Sequence, residues 1–260
     1  MSDLARQIIV LVTFAITLVI NSMASSGALG GTPTAEISNA YPIYFVPANL
    51  TFAIWGVIYL GLTAFAIYQA LPAQRENPLL KRIAWPFVFS NLANTLWLIL
   101  FQSEQFLLSV PVMLVILGLL ITIYRQLGIG QRVSRATYWL LQVPFSIYLG
   151  WITIATIANI SQTLYANGYT ELGLGGPTWA AIMIAIGTVI ISAVVYTGRG
   201  NIAYALTTIW AVAGIIIAQW ERSTLVGGAA LAAIIVIVAV LAYSLWQNRG
   251  QSPVRGARAG

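Results

Sequence analysis

Histidine and cysteine are both absent from the 260 residues, which removes imidazole and thiolate nucleophiles, zinc sites and the commonest haem ligands. The groups left to do chemistry are amides, hydroxyls and indoles set inside apolar runs. The densest set is Asn91, Asn94, Trp97 and Phe101, spaced i, i+3, i+6 and i+10, which places all four on roughly one face of a 3.6-residue helix. An unpaired amide in an apolar medium costs about 2 to 7 kcal/mol, so that face turns toward other helices, ordered water or a ligand and away from lipid. Two uses of it stand level: interhelical hydrogen bonds, each worth about 0.6 kcal/mol on average in a membrane, and the wall of a pocket. Two further stretches carry related groups. Trp55 and Tyr59 sit at i, i+4 on one face. Downstream, Gln142, Pro144, Tyr148, Trp151, Thr153, Thr156 and Asn159 crowd into a single run. There Trp151 and Asn159 share a face two turns apart, and Pro144 removes one backbone donor, which predicts a kink and a wider cavity beside it.

These stretches are positioned by a membrane-embedded scaffold. The chain is 59% hydrophobic and 7% charged, with a mean hydropathy of +0.86, far from the roughly 25% charged residues of soluble domains. Apolar runs long enough to span about 30 Å begin near Ile8, Phe52, Ile83, Phe106, Ala136, Pro177, Ile202 and Val226, predicting eight transmembrane helices. The net charge of +6 follows topology and does not point to nucleic acid. Arg6, Arg75, Lys81, Arg82, Arg125, Arg132, Arg135, Arg199, Arg249, Arg255 and Arg258 fall on one side, leaving Arg222 alone on the other, while Glu36, Glu104, Glu171 and Glu221 occupy the opposite loops. Retention of basic residues in the cytoplasm then places both termini there. The absence of long sorting signals suits a bacterial plasma membrane.

The loops and outer helices add detail. Arg6, the run Ile8 to Ile20 and Ser22-Met23-Ala24 also fit a cleavable signal peptide, which would leave seven spans. The long loop after the first span ends in Tyr41-Pro42-Ile43-Tyr44-Phe45-Val46-Pro47, which is suited either to a lid over the bundle mouth or to an interfacial aromatic belt. Gly173-Leu174-Gly175-Gly176-Pro177 is not a phosphate loop, because it lacks the Lys-Ser/Thr pair and follows no strand. Gly228 and Ala232 predict a close-contact face on the last helix. The tail from Asn248 is basic and rich in Gly and Pro, which predicts a disordered segment touching anionic headgroups.

At the second, third and fifth spans the residues resemble the tryptophan-rich sensory protein family (TspO/MBR), which includes the mitochondrial translocator protein. Pro47, Trp55 and Tyr59 fall at the spacing of that family's proline, tryptophan and tyrosine around its second helix. Asn94, Trp97, Leu100 and Phe101 are similar to its Asn-x-x-Trp-x-x-Leu-Phe pattern, and Trp151, Ala155 and Asn159 to its fifth-helix Trp, Ala and Asn. Asn49 stands where bacterial members usually carry another tryptophan. The resemblance implies an all-α membrane protein in which residues 1–160 form the family's five-helix unit. An external loop over 161–176, three additional transmembrane helices over 177–247 and the tail over 248–260 would complete this extended form.

What the resemblance implies for function is a pocket between the outer loop and the helices for flat, lipophilic ligands such as tetrapyrroles, serving sensing or translocation. The residues themselves support that shape. Trp55, Trp97 and Trp151 supply stacking walls, and Asn94, Asn159 and Tyr148 supply a few orienting hydrogen bonds. Pro47 and Tyr59 join them through the family pattern. Partners expected on this reading are a small hydrophobic ligand of porphyrin type, the lipid bilayer and, as one option, a second copy in a homodimer, with no nucleic acid. No cofactor, metal or catalytic residue is expected, and the protein is expected not to be an enzyme. The competing readings are a secondary transporter without an intramembrane carboxylate and a structural membrane subunit.

Overall fold

The computed structural model describes residues 2–169, 173–249 and 254. Its helices are α1 (Asp3–Ser25), the short α2 (Thr34–Asn39), α3 (Ile54–Ala70), α4 (Pro78–Gln102), α5 (Phe106–Gln126), the single turn α6 (Arg135–Thr137), α7 (Val143–Ala166), α8 (Gly176–Thr197), α9 (Ile202–Gln219) and α10 (Thr224–Gln247). A 3-10 turn, Asn49–Ala53, leads into α3, and one π turn, Tyr138–Gln142, joins α6 to α7. Eight of these elements are long and apolar enough to cross a membrane, and no strand occurs among the described residues. The protein is an all-α integral membrane protein with eight spans.

The spans alternate, so one end of the bundle carries the connections rich in arginine and lysine and the other carries the long segment between α1 and α3. These are named the basic end and the lid end below. Glu36 and Glu104 stand at the lid end, as does Glu221 beyond α9; Glu171, Arg255 and Arg258 lie outside the described residues.

The hub is α7, whose span is 72% buried, against 28% for α1, α8 and α10. Around it pack α5, α3 and α9; α4 lies between α1 and α5, and α8 rests chiefly on α10. Close approach explains the α7–α9 contact. A Cβ on Gly150 would stand 3.1 Å from both Thr207 Cβ and the Tyr204 carbonyl, so glycine lets the two backbones draw together. Tyr204 then donates to Thr153 Oγ1 (3.2 Å), and Asn201 Nδ2 donates to Ser146 Oγ (2.7 Å).

Several expectations from the sequence are corrected by this packing. Helix α7 runs on to Ala166, so residues 161–166 are helical and not loop; Ser161, Gln162 and Thr163 are buried there, and a buried segment keeps its backbone hydrogen bonds internal. Pro144 itself lines no wall of the cavity of about 110 Å³ that stands beside it, bordered by Gln142, Val143 and Ser146. The π turn just before it absorbs the missing donor by widening the helix locally, and Pro144 packs against Gly61 of α3. On α10 the close-contact face is Gly227, Ala230 and Ala233, while Gly228 faces open space. The helix is rotated by one residue from the small-residue pair read in the sequence, because Gly227 receives the Trp220 ring. At the tail, Val254 forms an isolated parallel bridge with Val133; the remainder, expected to be disordered, lies outside the described residues.

Candidate ligand site under the lid

The segment Tyr41–Pro47 folds inward and closes the lid end. Ile43, Phe45 and Val46 are buried, which a belt in the interface would not require. Backbone groups fasten it: Gln219 Nε2 donates to the Val46 carbonyl (3.1 Å), Ala48 N–H to the Gly214 carbonyl (3.0 Å), and Gln162 Nε2 to the Ile37 carbonyl (3.3 Å). Trp210 Nε1 donates to the Thr51 carbonyl (2.9 Å). Gly214 is required here, because any Cβ would collide with Thr51 and Pro47. Arg222, the one basic residue on this side, lies over the Tyr44 ring, 4.6 Å from its centroid, with Nη1 donating to Gln219 Oε1 (2.8 Å). Tyr41 closes the other edge, donating to Glu104 Oε2 (2.8 Å) and meeting Phe106 edge to face at 5.4 Å. Burial and, after it, the hydrogen bond to Glu104 hold the Tyr41 phenol above its ordinary value.

Beneath the lid are two adjoining chambers of about 40 and 240 Å³. Thr34, Phe52, Trp55 and Trp97 border both and form the partition between them. The smaller is closed by Pro47, Phe101, Trp151 and Asn159, the larger by Asn21, Asn49 and Leu98. The rings interlock edge to face, Trp151 with Phe52 (5.5 Å, 77°) and with Trp55 (6.1 Å, 76°), while Trp97 stacks on Phe101 (4.9 Å, 29°).

The structure divides the residues singled out from the sequence. Pro47, Trp55, Trp97, Trp151 and Asn159 come together around the smaller chamber. Asn94 and Tyr148 line neither chamber. They form a buried relay in which Asn21 Nδ2 donates to Asn94 Oδ1 (2.7 Å) and Asn94 Nδ2 to Tyr148 OH (3.2 Å), tying α1, α4 and α7. Tyr59 stands outside the chambers, stacked on Trp55 at 5.3 Å, with its buried hydroxyl unpartnered. Although Asn159 touches the cavity, its amide is spent on packing. Its Oδ1 accepts from Trp97 Nε1–H (2.9 Å), and its Nδ2 donates to Ser109 Oγ (2.9 Å), whose own proton goes to the Phe106 carbonyl (2.8 Å).

Two polar atoms around the chambers have no partner: Trp151 Nε1 and Thr34 Oγ1, both buried. A buried donor without an acceptor costs about 1 to 3 kcal/mol, so these are the groups with most to gain from a ligand. Thr34 was not foreseen as a site residue, nor were Asn21 and Phe52. The signal for Asn21 was present, since it is an amide at the end of an apolar run like Asn91 and Asn94.

A model of the TSPO-like protein family matches residues 7–243, a stretch that runs from within the first span to within the last. No curated protein and no solved structure matches the chain. With nearly the whole length covered and the Trp-walled cavity assembled from three separate helices, this chain belongs to the TSPO-like protein family.

Proposed function

We propose that this protein is a membrane receptor or carrier that binds a small, flat, hydrophobic ligand of tetrapyrrole type beneath its lid, for sensing or translocation and without chemical turnover. The observation that carries the reading is the pair of buried, unpartnered polar atoms, Trp151 Nε1 and Thr34 Oγ1, on residues of a largely apolar cavity whose Asn159 and Gln162 amides are already engaged. Trp151 has only a donor to offer, so the ligand presents an acceptor toward it. No lysine or arginine lines either chamber; ring faces stack on the indoles, and any carboxylates remain toward the lid end. Ligand sites usually enclose about 300–1,000 Å³, more than either chamber alone. A full macrocycle therefore fits only when the partition of Phe52, Trp55 and Trp97 swings aside. In this reading the basic end faces the cytoplasm of a bacterial cell, as the distribution of arginines favours.

Titration of the purified protein with protoporphyrin, followed by tryptophan fluorescence and thermal unfolding, tests the proposal. Saturable quenching and a rise in Tm are expected, since a ligand selective for the folded state must stabilise it. Trp151→Phe and Thr34→Val should each weaken binding by roughly two- to tenfold, the equivalent of one hydrogen bond. A saturating porphyrin that moves neither signal, or an affinity indifferent to both substitutions, defeats the reading.

A further inference from the structure

Asn21 brings an acceptor to the wall of the larger chamber. It stands on α1 one turn, roughly 6 Å, below Ser25. Ser25 and Asn49 are exposed at the rim, and of the residues that line this chamber alone Asn21 is the buried polar one, only 5% exposed. Chemistry fixes the orientation of its amide. Nδ2 donates to the Thr17 carbonyl (2.8 Å), a group that can only accept, and also to Asn94 Oδ1 (2.7 Å). Both amide hydrogens are thereby spent. Asn21 Oδ1 accepts from nothing among the described residues and, unlike the wholly enclosed Trp151 Nε1 and Thr34 Oγ1, is open to the chamber. What Asn21 offers a ligand is a bare carbonyl oxygen.

The free polar groups then fall in a definite order along the cavity. Trp151 Nε1, on the smaller chamber, can only donate; Thr34 Oγ1, in the partition, can do either; Asn21 Oδ1, on the larger chamber, can only accept. A molecule that spans both chambers therefore meets a donor at one end and an acceptor at the other. An ionised carboxylate set against Asn21 would bring acceptors together in apolar surroundings, where neither regains what it loses on leaving water. No lysine or arginine among the described residues lines the chamber to reverse that preference.

We infer that the larger chamber is a subsite selective for an uncharged hydrogen-bond donor, a hydroxyl or an N–H, which the ligand directs at Asn21 Oδ1, and that it excludes an ionised carboxylate from that wall. The inference rests on the ligand reading proposed above and adds the class of end group to it. The ligand is an amphiphile with an acceptor at its Trp151 end and a neutral donor at its Asn21 end.

The test compares haematoporphyrin with mesoporphyrin, which carry the same propionates and differ in having hydroxyethyl or ethyl groups on the ring. Kd values for the full chain in mild detergent come from tryptophan fluorescence quenching. Partition of each porphyrin into detergent is common to every variant, so the readout is the change in the Kd ratio between variants. Relative to Asn21→Leu, the unmodified chain should favour haematoporphyrin by about two- to tenfold, the equivalent of one hydrogen bond. Asn94→Leu breaks the same relay but leaves Asn21 held by Thr17, and should keep the preference. Ala35→Phe, which fills the larger chamber from α2 without touching the relay, should lose it, and serves alone if circular dichroism shows Asn21→Leu to be misfolded. A ratio that neither Asn21→Leu nor Ala35→Phe changes overturns the inference and leaves the ligand reading standing. A preference lost equally in Asn94→Leu also overturns it, by assigning the effect to the relay. If neither porphyrin quenches at saturation, the inference and the reading beneath it fall together.

Discussion

Asn91 and Asn94 are both buried on the same face of α4, 2% and 1% exposed, yet they sit in different chemistry. Asn94 completes a relay between Asn21 and Tyr148, whereas the Asn91 side-chain nitrogen has no partner and only its backbone carbonyl is used, accepting from Thr17 Oγ1 (3.0 Å). Asn94, a pocket candidate by the family pattern, is an interhelical fastener, and the Asn91 side-chain nitrogen is left without a hydrogen bond and outside both chambers. Asn94→Leu should therefore destabilise the protein by about 1–2 kcal/mol, since it strands Tyr148 and Asn21. Asn91→Leu, of similar size, should be neutral or stabilising by about 1 kcal/mol, because it removes a buried group whose desolvation nothing offsets. Thermal unfolding of the two variants in one detergent decides it; equal losses would refute the distinction. The same contrast separates two indoles: Trp97 spends its N–H on Asn159, and Trp151 keeps its own. That an amide or an indole in an apolar run must face inward is readable from residue type. Which partner it finds depends on the rotation of two helices, and residue type does not encode that.

Among the elements, the lid shows most clearly how a local signal is resolved by its surroundings. The aromatic stretch Tyr41–Pro47 suited a belt as well as a lid until Val46, Ala48 and Thr51 met α9 through backbone hydrogen bonds. At its edge the Tyr41–Glu104 bond gives a pH signature. The Tyr41 phenol is raised by burial and by Glu104, so the folded state holds this proton more tightly than the unfolded chain does. The contribution is then complete below the ordinary tyrosine range near pH ~10 and is lost as pH rises through the raised value. Limited proteolysis of the segment between α1 and α3 should be flat from about pH 7 to 9 and accelerate only above about pH 10. Tyr41→Phe should remove that step and leave cleavage near neutral pH slightly faster. A profile that Tyr41→Phe does not change would assign the transition to another group.

At the scale of the whole molecule, the three C-terminal spans are built into the unit that holds the cavity. Helix α9 packs on the hub α7 and on the 3-10 turn that leads into Trp55, so it braces one cavity wall without lining it. Gly150→Val tests this arrangement, since the added methyls would press into Thr207 and the Tyr204 carbonyl. Overpacking of this kind costs about 1–3 kcal/mol. The expected outcome is a lower Tm together with faster proteolysis of the lid, although no lid residue is altered. A loss of stability with unchanged lid protection would show that α9 does not support the lid.

The sequence by itself determined the class of this protein and the cast of its cavity. Eight apolar runs, the one-sided arginines and three helices carrying Trp, Asn and Tyr at the family spacing all lie within single segments, where period and composition act locally. The division of those residues between cavity and framework was decided only in the tertiary structure. Asn21 reaches Asn94 across α1 and α4, α9 pins the lid through Gly214 and Gln219, and Asn201 before α9 donates to Tyr124 of α5. Each of these depends on the relative rotation and approach of helices far apart in the chain. A hydrogen bond in hydrocarbon is directional, so those rotations settle which polar groups close on one another and which remain open to a ligand.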